Sequence, residues 1–202
     1  MPCEEFRATG RFEGDRFVPE DWRPRVPTTA LKNVRADDAF WAARRVMAFT
    51  DEMIGAVVKV GQISDPAAEA QLAEVLMKRR DKIGRAYYTA INPLVDFALA
   101  GGRLTFVNEA LRSGVVQGPA PGYDAEWYRF DNGANTATPL ATTASTGDGS
   151  VPAPPALAGA GPYVRVDVRA VRHPIEPWTV PVRAYFRRHG DAWTLVGLER
   201  QP

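Results

Sequence analysis

The side chains best placed to do chemistry form a cluster of charges in the first half of the sequence. Thr50-Asp51-Glu52 lies ahead of Arg79-Arg80-Asp81-Lys82 and Arg85, with Asp38 a short way upstream. Carboxylates and guanidiniums gathered by helices can make an acid–base pair or an anion site. They can equally lock helices together as an ion-pair network. Arg79 shares a helical stripe with Leu76 and Ile83, which directs it inward, where a charge needs a partner. Asp38, Asp51 and Glu52 are the acids that could supply one. The structural reading is favoured, so Asp38, Asp51, Glu52, Arg79, Arg80, Asp81 and Arg85 are assigned to an ion-pair network. No residue is assigned to catalysis, to a cofactor or to a metal, and no cofactor is expected.

Other chemistries lack their residues. A phosphate-cradling loop needs glycines ahead of a helix with Lys and Ser/Thr following; Gly101-Gly102-Arg103 precedes strand-like sequence, and Gly147-Asp148-Gly149-Ser150 lies in a low-complexity stretch. The Gly-x-Ser-x-Gly elbow of many hydrolases is missing. A lone Cys3 and two histidines, His173 and His189, give little to a metal cage. His173 precedes Pro174 and His189 sits at a turn, so both read as loop residues.

Aromatic residues raise two further readings. Phe6, Phe12, Phe17 and Trp22 punctuate a proline-rich start and suit docking on another surface. Trp127, Tyr128, Trp178 and Trp193 could stack on sugars, although tryptophans in a small sheet are more often core.

Composition narrows the function classes. The chain has 202 residues, with 25 Lys+Arg against 24 Asp+Glu, a balance that argues against a nucleic-acid binder. Apolar residues are 45% and charged residues 24%, ordinary for a globular chain and incompatible with wholesale disorder. No stretch is long and apolar enough for a membrane span, and the charged start does not read as a signal peptide. Arg strongly outnumbers Lys, which together with Ala-rich tracts suggests a GC-rich bacterial genome. Localisation and oligomeric state are left open.

The elements that must position these residues follow from periodicity. Residues 1–35, with Pro2, Pro19, Pro24 and Pro27, read as an extended arm, because proline at that density forbids a long helix. Residues 36–98 read as a helical bundle. Asp37 or Asp38 caps a helix with Phe40, Ala43 and Met47 on one face. Thr50 caps a second with Ile54, Val57 and Val58, stopping near Gly61. Asp65-Pro66 opens a third, with Leu72, Val75, Leu76, Arg79 and Ile83 in a stripe, ending at Asn92-Pro93. Residues 99–202 read as a β module. Val164, Val166 and Val168 alternate with Arg165, Asp167 and Arg169; Val182, Ala184 and Phe186 alternate with Arg183, Tyr185 and Arg187; and a hairpin leads to Trp193–Arg200. Arg103–Asn108 and Glu126–Asp131 are further strands. Residues 132–161, mostly Ala, Thr, Gly, Pro and Ser, read as a long mobile loop. The fold class is α+β: a three-helix antiparallel bundle followed by a small antiparallel β sandwich or open barrel.

At the helical block the sequence resembles a known family. Ala39-Phe40-Trp41-Ala42-Ala43 to Phe49-Thr50-Asp51-Glu52, then Ser64-Asp65-Pro66, then Arg79-Arg80-Asp81-Lys82-Ile83-Gly84-Arg85-Ala86-Tyr87 are similar to the C-terminal region of a family of large, uncharacterised bacterial proteins. Gly10-Arg11-Phe12-Glu13 and Asp21-Trp22-Arg23-Pro24 resemble that family's linker, and the likeness covers residues 10–96. In the family this region follows a kinase-like domain, and none of that domain's catalytic residues has a match here. The resemblance implies a non-catalytic helical-plus-β module that packs on a protein partner or an upstream domain. An envelope or surface module recognising glycan or protein through its β domain is one alternative, and a small enzyme using the helical Arg/Asp cluster is another.

Overall fold

The computed structural model describes residues 9–10, 12–26, 28–145 and 149–200, so Phe6 lies outside the described residues. The chain is a mixed α+β protein that divides into two compact units, Met1–Tyr87 and Tyr88–Pro202.

The first unit is built from helices α1 (Thr29–Lys32), α2 (Ala36–Met47), α3 (Asp51–Val60) and all but the end of α4 (Pro66–Thr89). Their starts are set by capping side chains that take up otherwise unpaired backbone N–H groups. In α2 the cap position belongs to Arg35, and Asp38 reaches back from the first turn to accept the Arg35 backbone N–H at 3.1 Å. Thr50 accepts from the Met53 N–H at 3.2 Å, and Asp65 from the Ala67 N–H at 2.9 Å. The inward stripes follow the helical period: Phe40 and Ala43 on α2, Ile54 and Val58 on α3, Ala68 and Val75 on α4 are all buried. Helix α4 comes so close to α2 at Gly84 that an added Cβ would lie 2.5 Å from the Met47 sulfur.

The expected extended arm is interrupted by α1 and by a 3-10 turn at Pro19–Asp21, a proline-started turn that this sequence tolerates where a long helix would break. Much of the rest is fastened to α4. The carbonyls of Glu13, Asp15, Phe17 and Pro19 accept, respectively, from Arg79, from Lys82 at 2.6 Å, from Lys82 at 3.0 Å and from the Tyr87 hydroxyl at 3.4 Å. At Gly14 the arm lies so near α4 that a Cβ there would sit 3.1 Å from that of Lys78.

The second unit carries two antiparallel sheets. One has the order β1-β2-β5, from Leu94–Ala100, Arg103–Asn108 and Ser150–Pro152. The other has the order β4-β3-β6-β7-β8, from Thr136–Ser145, Tyr123–Asp131, Tyr163–Ala170, Val182–His189 and Ala192–Arg200. Neither closes into a barrel among the described residues. A short helix α5 (Glu109–Arg112) follows β2, capped by the Asn108 side chain. The sheet interior is Trp127, Val164, Val166, Val168, Val182, Ala184 and Phe186, together with Tyr123 and Trp178, all essentially without solvent contact.

The stretch 132–161, expected as a mobile loop, contains β4, β5 and a 3-10 turn at Pro155–Gly159. Composition misleads there because an edge strand needs backbone ladder bonds on one side and little side-chain burial. Strand β4 pairs with β3 along its whole length, and Thr143 accepts the Trp127 indole N–H at 2.8 Å. Gly149 has φ +69°, and a Cβ there would lie 2.9 Å from the Phe106 carbonyl oxygen, so glycine is what lets this segment pair with β2.

Candidate functional site

Two places gather the side chains that could bind or react, one in each unit. In the helical unit, α2, α3, α4 and the arm surround an open groove of about 530 Å³. Its walls are almost wholly apolar: Phe12, Phe17 and Trp22 from the arm, Val46, Phe49, Ile54 and Val57, and Leu76 and Ile83 from α4. Among the described residues, Arg79 and Arg80 are its two cations.

These two arginines are satisfied in different ways. Arg80 is saturated by acids and a helix end: Nη1 donates to Asp51 at 2.7 Å and to the Phe49 carbonyl at 2.9 Å, and Nε to Asp81 at 2.8 Å. Burial works against its charge, but Asp81 and Asp51 overcome that and hold its pKa above the ordinary arginine value. Arg79 meets no carboxylate among the described residues. Its Nε and Nη2 donate to the Glu13 carbonyl at 2.9 and 2.7 Å, and its guanidinium lies 4.0 Å from the centre of the Phe12 ring and 4.8 Å from that of Phe17. The inward stripe places Arg79 half-buried, as its spacing implies. Its partners are a backbone carbonyl and two rings of the arm, where Asp38, Asp51 or Glu52 was expected. Those acids are engaged locally: Asp38 in the α2 cap, Asp51 with Arg80, and Glu52 with Thr50, whose hydroxyl hydrogen bond draws the exposed Glu52 carboxyl below its usual range. Arg85 is exposed. Of the aromatics expected to dock elsewhere, Phe12 and Phe17 therefore have a place inside their own unit, while Trp22 is 56% exposed.

In the β unit, the face of the five-stranded sheet opposite the valines carries a cross-strand array of charges. The register aligns Glu126 with Asp167, Asp167 with Arg183, and Arg183 with Glu199 across four strands; the next row aligns Tyr128, Arg165, Tyr185 and Gly197. Arg165 Nε lies 2.8 Å from Asp167, Arg169 pairs with Glu126 at 3.0 Å, and the Tyr128 hydroxyl donates to Glu126 at 2.7 Å. Arg165 also stacks over the Tyr128 ring at 4.2 Å. Asp167 is buried, which raises its carboxyl above the usual range in spite of Arg165 and Arg183. The alternation of residues 164–170 marked this face, but nothing in the local sequence announced its partners on β3 and β8, because they meet only through register. A sugar platform loses two members here: Trp127 and Trp178 are fully buried.

No group of three or more His, Cys, Asp or Glu that could hold a metal ion occurs among the described residues, and no helix among them is long and apolar enough to cross a membrane. Fold and sites together define a mixed α+β protein with an apolar groove in one unit and a self-paired charged sheet face in the other. No family model matches this chain, and neither a curated protein nor a solved structure matches it.

Proposed function

We propose that the chain is a non-catalytic module, a three-helix bundle joined to a small antiparallel sandwich, that acts by docking a protein partner or a neighbouring domain on its helical unit. The observation that carries this reading is the outer side of α3. Ile54 and Val58 are turned inward and buried, yet Met53, Val57 and Val60 stand 53%, 63% and 81% exposed on the same ten-residue helix. A helix apolar on both sides is ordinarily covered on both sides. The 53–57–60 spacing of four and three is that of a seam read by a second helix. The charge clusters favour docking over chemistry, since the acids of the helical cluster each have a local structural use. The resemblance of residues 10–96 to a region that follows another domain fits the same role.

The test is the paired substitution Met53→Lys with Val60→Lys. The expected outcome is an unchanged circular dichroism spectrum and melting temperature, with Nile red binding reduced to the share taken by the groove, which Met53 and Val60 do not line, and with loss of any self-association at high concentration. If the double variant unfolds the helical unit, these residues belong to its own core and the docking reading fails.

A further inference from the structure

We infer that the groove of the helical unit is a binding site for a long-chain carboxylate, a fatty acid, whose head is received by Arg79 and whose chain lies along the apolar walls. The inference goes beyond docking on α3 and rests on Arg79 and the groove walls, which share only Val57 with the docking face. A guanidinium has five N–H donors in a planar fork. The Glu13 carbonyl takes Nε and one hydrogen of Nη2, which leaves both hydrogens of Nη1 and the second of Nη2 without a protein acceptor among the described residues. That remaining end of the fork presents two parallel donors, the arrangement that a carboxylate accepts in bidentate fashion.

The surroundings select the rest of the ligand. Phe12 and Phe17 lie against the guanidinium, so its open donors are at its edge, and its positive charge is half-buried with no carboxylate beside it among the described residues. A half-buried cation without a counter-charge favours an incoming anion. One open fork suits a singly charged planar head better than a phosphate, because the neighbouring Arg80 is already committed to Asp51, Asp81 and the Phe49 carbonyl. The other lining side chains include Val46, Phe49, Ile54, Leu76 and Ile83, and the volume of about 530 Å³ is in the range of small-molecule sites, which combine apolar walls with a few fixed polar groups. Head and chain thus have complementary seats in one concavity.

The test is calorimetric titration of the full chain with dodecanoate below its micelle range, beside butanoate, methyl dodecanoate and dodecyltrimethylammonium. Saturable one-to-one binding of dodecanoate is expected, with butanoate at least a hundredfold weaker and the ester and the cation at least tenfold weaker. Arg79→Gln should weaken dodecanoate at least tenfold while leaving the ester unchanged, and Arg79→Lys should fall between. Equal affinity for all three twelve-carbon heads, or uptake that never saturates, overturns the proposal. If Arg79→Gln does not fold, the head-group series on the unaltered chain still decides. Nile red binding that survives alongside absent head selectivity sinks this site and leaves docking on α3 standing.

Discussion

Arg79 in the helical unit and Asp167 in the β unit are both charges drawn out of water, and they are answered in opposite ways. Asp167 is paired with two guanidiniums, Arg165 on its own strand and Arg183 beside it in the register row Glu126, Asp167, Arg183, Glu199, so its field is closed within the sheet. Arg79 is answered by a carbonyl and two phenyl rings, which satisfy part of its fork and leave its charge uncompensated by any acid among the described residues. A closed network serves the fold, and an open one has capacity left for something else. The β unit pairs the charges of this sheet face with one another, whereas the helical unit leaves both apolar surface and hydrogen-bonding capacity outward.

The sharpest way to break this contrast is to open the closed network. Replacing Arg165 by Met removes the guanidinium nearest Asp167 and leaves a buried carboxylate with only Arg183 at 3.5 Å. Breaking a buried pair on one side costs about 3 kcal/mol or more, because the remaining charge has lost its compensation. The pH dependence gives the mechanism. Burial already raises the folded Asp167 carboxyl above its ordinary 3.8, so the folded state holds this proton more tightly than the unfolded chain does. Stability gained from that protonation is present at low pH and is lost as pH rises through the folded value. The deficit of Arg165→Met, followed by urea unfolding, should therefore be largest at neutral pH and shrink on acidification toward pH 4. A deficit that does not change with pH would show that Arg165 acts through its packing on Tyr128 instead.

The middle effect lies in the helical unit. Arg79→Ala removes two hydrogen bonds from a charged donor and two ring contacts, for an expected loss of about 2 kcal/mol. Asp51→Ala removes an acid that is 64% exposed from the Arg80 pair, and such surface pairs are worth about 1 kcal/mol at most. Proteolysis within residues 12–22 should accelerate in Arg79→Ala and not in Asp51→Ala, because of these two side chains Arg79 is the one bonded to the arm. Equal losses for the two variants would return Arg79 to the ion-pair network.

The helices were legible because their signals are local: Thr50, Asp65-Pro66 and the 3.6-residue stripes act within one or two turns. The valine strands were legible for the same reason at period two. Strand β1 (Leu94–Ala100) was not, since its period is interrupted at Asp96, where φ is +55° and the register with β2 shifts. Strand β4 hid in Ala/Thr-rich sequence, as its stability comes from the neighbouring ladder. Arg79 showed its burial through its stripe, but its partner came from 66 residues away, a backbone oxygen that no side-chain pattern can advertise. Arg80, one residue on, took the acid that the stripe argument had offered to Arg79.

The smallest expected effect concerns a second stacked nitrogen group, and it sharpens the contrast from the other side. His173 lies over the buried Trp178 ring, centroids 4.3 Å apart and planes 14° from parallel, much as Arg79 lies over phenyl rings. Arginine cannot shed its proton, but histidine can. Burial lowers the His173 pKa from its ordinary 6.5, and its Nδ1 accepts the Ile175 backbone N–H at 3.2 Å, which a protonated Nδ1 could not do. Both observations put a neutral ring on Trp178. The folded state then resists a proton that the unfolded chain takes up, so stability is full above pH 6.5 and declines as pH falls from there through the lowered folded value. Urea midpoints measured between pH 7.5 and 5 should show this decline, a smaller loss than that of Arg79→Ala, and His173→Gln should flatten it while keeping an acceptor for Ile175. A decline unchanged in His173→Gln would assign it to other groups. A His173 ring that titrates above 6.5 by NMR would mean that the indole face stabilises the imidazolium as the phenyl rings stabilise the Arg79 guanidinium.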